Sequence, residues 1–121
     1  ALTNTLAGLD EGIARLGPLP ILQKFAADLE MKRGNTEAAV ARIGAIAERS
    51  ERKERWLFLQ GELFRQAGRT HEARDRFLAA RRALESLPDK LQRSFVATEL
   101  RQQIDARLAE FGSKPLTETS R

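Results

Sequence analysis

The sequence predicts an all-α protein of about six helices, folded as antiparallel helix hairpins. Three observations predict it. Ala, Leu, Arg, Glu and Gln dominate, all good helix formers, while β-branched residues are few. Apolar residues recur at spacings of three and four along nearly the whole chain. Finally, the stretch GNTEAAVARI at 34–43 returns as GRTHEARDRF at 68–77, with the glycines 34 positions apart. Each copy has Gly, any residue, then Thr, with an Ala five positions after the Gly. A bulky apolar residue stands four positions beyond that Ala, directly after an Arg.

The elements follow in order. Leu2, Leu6, Leu9, Ile13 and Leu16 form one stripe on a helix over 2–16, which Gly17-Pro18-Leu19-Pro20 stops. A second helix over 21–33 turns Leu22, Phe25, Ala26 and Leu29 inward and breaks at Gly34-Asn35. Thr36 is placed to cap a third over 37–49, with Ala39, Val40, Ile43 and Ile46 inward. A polar link, Glu48 to Glu54, leads to a fourth helix over 54–67, whose core candidates are Trp56, Leu57, Gly61, Leu63 and Phe64. Gly68 ends it as a C′ glycine. Thr70 caps a fifth over 71–86, with Ala73, Phe77, Ala80 and Leu84 inward. After Leu87-Pro88 a longer helix over 89–111 carries Leu91, Phe95, Leu100, Ile104, Leu108 and Phe111. Gly112 ends that helix, and residues 113–121 read as a flexible tail.

The bulk numbers agree with a globular domain. The chain has 121 residues, 41% hydrophobic and 31% charged. It has no cysteine, which excludes disulfides and thiolate metal sites but leaves the compartment open between cytoplasm and periplasm. No apolar run approaches the ~18 residues of a membrane span. No signal peptide is visible, and a start without Met, already helical by Leu2, reads as a piece of a longer or matured protein. The net charge of +4 comes from Arg mixed with Glu and Asp along the helices, which reads as a solvated surface.

A two-helix unit of 34 residues resembles the tetratricopeptide repeat (TPR). With Gly68 at position 15 of that family's pattern, residues 54–87 form one repeat. Leu57, Gly61, Phe64, Ala73, Phe77 and Ala80 then occupy signature positions. Gln60 stands where the family has Leu, and the proline comes late, as Pro88. A second repeat over 20–53 matches at Ala27, Gly34 and Ala39. There Glu30 replaces an aromatic, Ile43 an aromatic and Ile46 an Ala. The resemblance implies a right-handed superhelical stack of hairpins, a TPR-like α-solenoid spanning 1–112, with 2–16 and 89–111 as flanking helices. Small residues at Ala27, Ala39, Gly61, Ala73 and Ala80 allow close helix packing, so a large residue at Ala73 should cost ~1–3 kcal/mol.

Catalytic chemistry finds little support. His71 is the only histidine and opens a helix, without a second His or any Cys beside it. Glycines 8, 12 and 17 follow no strand, and Ser50, Ser86 and Ser94 have no histidine base. The acidic pairs Asp10/Glu11 and Glu51/Glu54 read as solvated charge. The expectation is no enzyme, no cofactor and no metal.

The resemblance implies instead a non-catalytic scaffold or adaptor that binds a peptide or protein in a concave groove, and the Arg-rich stretch over 65–82 reads as a solvated surface or as a contact for an acidic partner. The groove positions are Ile21, Lys24, Asp28, Met31 and Lys32 in one repeat, and Arg55, Phe58, Glu62, Arg65 and Gln66 in the other. Lys24, Asp28, Met31, Arg55, Phe58, Glu62 and Arg65 are the candidate contacts. Phe58, between Leu57 and Leu59, reads as a peptide anchor or as a contact to an adjacent or capping helix. Met31 carries the same two readings. The carboxylate clamp of one TPR subclass is not expected, because Asp28 and Leu59 replace its Asn residues.

Two alternatives stay open. The Leu2–Leu16 stripe could pair two copies into a homodimer, or pack on 21–33 within one chain. Arg65, Arg69, Arg74, Arg76, Arg81 and Arg82 could bind nucleic acid, but helical geometry spreads them over several directions.

Overall fold

The structure is a computed structural model that describes Leu6 and residues 20–112. Among the described residues it is all-helical, with six helices and no strand. These are α1 (Pro20–Lys32), α2 (Thr36–Glu48), α3 (Glu54–Gln66), α4 (Thr70–Glu85), the short α5 (Asp89–Gln92) and α6 (Phe95–Gly112). The helix expected over 2–16, apart from Leu6, and the tail at 113–121 lie outside the described residues. No described helix is long and apolar enough to cross a membrane.

The chain divides into two compact units, Ala1–Glu51 and Arg52–Arg121. The division falls two residues before the repeat border expected at 53/54.

The recurring phrase builds the same turn twice. Gly34 and Gly68 both have φ +77°, the left-handed region that only glycine enters without strain. The Asn35 N–H donates to Glu30 O at 2.8 Å and the Gly34 N–H to Met31 O at 3.0 Å. The Arg69 N–H donates to Phe64 O at 2.9 Å and the Gly68 N–H to Arg65 O at 3.0 Å. This is the Schellman pattern, closing the open carbonyls at each helix end. The turn corrects one expectation. Thr36 and Thr70 are the first helical residues and not the caps, since Asn35 and Arg69 occupy the N-cap positions without a side-chain cap bond. The Schellman turn resumes helical hydrogen bonding immediately, with Ala39 N–H donating to Asn35 O and Ala73 N–H to Arg69 O.

In the N-terminal unit α1 packs on α2. The inward face of α1 contains Gln23, Ala26, Ala27 and Glu30, at helical steps of three, four and seven. Phe25, expected inside, is 53% exposed because it lies off that stripe. The two buried polar residues share one partner. Arg42 of α2 donates from Nε to Glu30 Oε2 at 3.2 Å and from Nη1 to Gln23 Oε1 at 3.2 Å. The misfit at Glu30 is thus answered by the Arg of the recurring phrase. Ala39, Val40, Ile43 and Ile46 of α2 are buried as expected. Leu6 is buried in a cluster with Ala26 and Leu29, so this residue of the N-terminal stripe packs on α1 within the chain.

The C-terminal unit is built around aromatic rings from three helices. Phe77 of α4 is fully buried, its ring centroid 5.4 Å from Phe58 of α3 and 5.9 Å from Phe111 of α6. Ala73, Ala80 and Leu84 of α4 are also fully buried. Gly61 faces Phe77 so closely that a Cβ there would lie 2.6 Å from the ring. Gly61→Val should therefore lower stability by ~2–3 kcal/mol, with overpacking outweighing the better helix propensity of Val. The midpoint of urea unfolding, read at constant slope, checks this.

The last predicted helix is broken. The chain turns at Arg93-Ser94, and Ser94 caps α6 by accepting the Ala97 N–H at its Oγ, 3.1 Å away. Gln92 fastens the turn, donating from Nε2 to Glu85 O at 3.1 Å and Leu87 O at 2.7 Å. Arg101 of α6 donates back to Gln92 Oε1 at 3.1 Å. The break puts the expected stripe out of phase. Ile104 and Phe111 are buried, while Leu91 and Phe95 are exposed.

Candidate functional site

α6 packs on α4, and ion pairs tie one end of it to α3. Arg65 donates to Glu110 through Nε at 2.8 Å and Nη2 at 3.0 Å, a two-pronged pair. Arg107 pairs with Glu62, which also faces Arg65 at 3.6 Å. The hydrogen bond to Glu110 raises the proton affinity of the Arg65 guanidinium above its ordinary value. On the α4 side, Arg81 lies 3.6 Å from Asp105. All these contacts fall in the second half of α6.

Along the first half α3 and α6 leave a cleft of about 510 Å³, walled by Trp56, Phe58 and Leu59 of α3 and by Val96, Ala97 and Leu100 of α6. Leu84 of α4 also lines it. A second cleft of about 420 Å³ shares Phe58, Leu59 and Gln103 with the first and reaches Glu62 and Arg107. Together they form one furrow between α3 and α6. Charged residues stand at its start. Arg52 pairs with Glu54 at 2.6 Å, and the Arg55 guanidinium lies over Trp56, 5.9 Å from the ring centroid. Glu99 stands on the α6 wall. Beside the cleft, Phe95 is 76% exposed and Val96 68%.

The expected groove residues fare differently. Lys24 and Asp28 are exposed on α1 and Met31 is half-buried there, in the N-terminal unit. Arg55, Phe58 and Glu62 come together along the furrow of the C-terminal unit. Phe58 does not project as a free anchor; it is buried against Phe77, and its other side forms furrow wall. Glu62 and Arg65, expected to face a ligand, pair instead with Arg107 and Glu110 of α6. Sequence reasoning missed Val96, Leu100 and Gln103. The signal that could have found them is Ser94, a capping residue that starts a new helix and resets its phase.

The arginine stretch is largely used inside the fold. Arg65 and Arg81 hold α6. Arg69 donates to Glu72 at 2.5 Å, which holds the pKa of that carboxyl below its ordinary value, and also lies over the Phe64 ring at 5.0 Å. Arg76 lies over the same ring at 5.9 Å. Arg74 and Arg82 are exposed. Guanidinium groups committed to carboxylates and rings do not form a continuous phosphate-binding stripe. His71 is exposed at the start of α4.

No protein-family model matches the chain, and no curated protein or solved structure matches it.

Proposed function

We propose that the chain is a non-catalytic protein-interaction module, a helical-hairpin scaffold of the TPR kind, that holds a peptide or protein segment in the furrow between α3 and α6. One observation carries the reading: an apolar-walled furrow runs between two helices, with exposed Phe95 and Val96 at its edge. Such a furrow offers shape and apolar area to a partner. The two Schellman turns in register with a two-helix repeat support the TPR-like reading of the architecture.

Leu59 is the residue to test, since it is half-buried and lines both parts of the furrow. Leu59→Glu and Arg55→Glu should each reduce partner capture at least ~10-fold, as the loss of a central contact does. Capture is read by pull-down and mass spectrometry, with circular dichroism showing both variants folded. Unchanged capture by both folded variants refutes the reading.

A further inference from the structure

We infer that the furrow's occupant is a second copy of this chain, docked about a two-fold axis, an inference that rests on the furrow being a docking surface. The same end of the C-terminal unit carries both a hole and a knob. The hole is the cleft of about 510 Å³ walled by Trp56, Leu59, Val96 and Leu100. The knob is Phe95, 76% exposed, with Val96 beside it. Phe95 stands one helical turn before Glu99, a cleft residue, and so lies on the outer edge of the same opening. In an isologous contact each copy's residue i meets residue j of the other, and the reverse. A knob next to a hole on one face meets that requirement, for Phe95 of each copy can enter the cleft of the other.

The charges favour the same occupant. Four ionisable residues line the cleft: Arg52, Arg55, Glu54 and Glu99, two of each sign. Arg52 and Glu54 neutralise one another at 2.6 Å. Arg55 is left exposed on the α3 wall and Glu99 on the α6 wall. A strongly acidic partner meets Glu99, and a strongly basic one meets Arg55. A second copy presents Glu99 to Arg55 and Arg55 to Glu99. The ion pairs of Arg107 and Glu110 lie farther along α6, so docking leaves them intact. The association expected of such a contact is in the micromolar range, about 1–100 μM.

Sedimentation equilibrium from about 1 μM to about 500 μM brackets that range. The mass should rise from the 13.6 kDa of one chain toward twice that value. Phe95→Glu alters an exposed side chain, spares the core, and should weaken association at least 10-fold. Arg55→Glu and Glu99→Arg should each weaken it, and mixing the two single variants should restore it, because each mixed pair then regains Arg-to-Glu contacts across copies. A mass fixed at one chain throughout, or association unaffected by Phe95→Glu, overturns the inference. If the chain is monomeric yet captures a different protein through Leu59, the inference falls and the proposed binding function stands. If Leu59→Glu alters neither self-association nor capture, both fall.

Discussion

Phe77→Ala is expected to unfold most of the C-terminal unit, lowering stability by ~3–5 kcal/mol. The ring is fully buried and lies between Phe58 and Phe111, so it joins three helices at one point. Removing it leaves a cavity that α3, α4 and α6 would have to collapse together to close. The larger part of the cost arises because they cannot do so while their other contacts hold. A unit of this size has only ~3–10 kcal/mol of total stability, so the loss is decisive. Urea unfolding followed by circular dichroism should show a much lower midpoint, or no cooperative transition. Phe77→Leu keeps part of the volume and should cost clearly less. It also tests the seam with Gly61. Because a Cβ at Gly61 meets the ring at 2.6 Å, the penalty of Gly61→Val should shrink by ~1 kcal/mol or more in the Phe77→Leu background. Additive effects would show that the two positions do not share one space.

Arg42→Met should destabilise the N-terminal unit by about 3 kcal/mol, for an electrostatic reason. The Glu30 side chain is only 8% exposed, and Arg42 at 3.2 Å holds one of its oxygens. The other oxygen is buried without a hydrogen bond, and meets Arg33 Nη1 at 3.6 Å. With Arg42 gone, a buried carboxylate keeps one longer, half-exposed partner, and Gln23 loses a donor as well. Glu30→Leu combined with Arg42→Met should recover most of the loss, since an apolar pair of similar size removes the stranded charge. The measurement is a double-mutant cycle in unfolding free energy. A double variant as unstable as Arg42→Met would show that Arg42 acts through packing of its stem rather than through Glu30.

The contrast between these residues shows how far local rules reach. The recurring phrase correctly forecast two glycine-ended hairpins, and Gly34 and Gly68 share one backbone conformation. Ala73, Phe77, Ala80 and Leu84 were legible as a stripe and are all buried. Phe25 and Phe95 looked equally inward by spacing and are exposed. Phe25 lost its place to the stripe that Arg42 completes, and Phe95 lost its place when Ser94 restarted the helix. Of the candidate groove residues, Glu62 and Arg65 were readable as lying on one face of α3. Their partners, 45 positions away on α6, were not.

Helical periodicity, the left-handed glycine and the two-helix period are properties of a few neighbouring residues, so the amino-acid order settled α1 to α4 and the glycine turns at Gly34 and Gly68. Which side chains are inside, why Glu30 can be buried, and where a furrow opens between α3 and α6 depend on groups brought from distant segments. Burial of a charge or a ring is set by the sum of its neighbours in space, and that sum exists once the helices have packed.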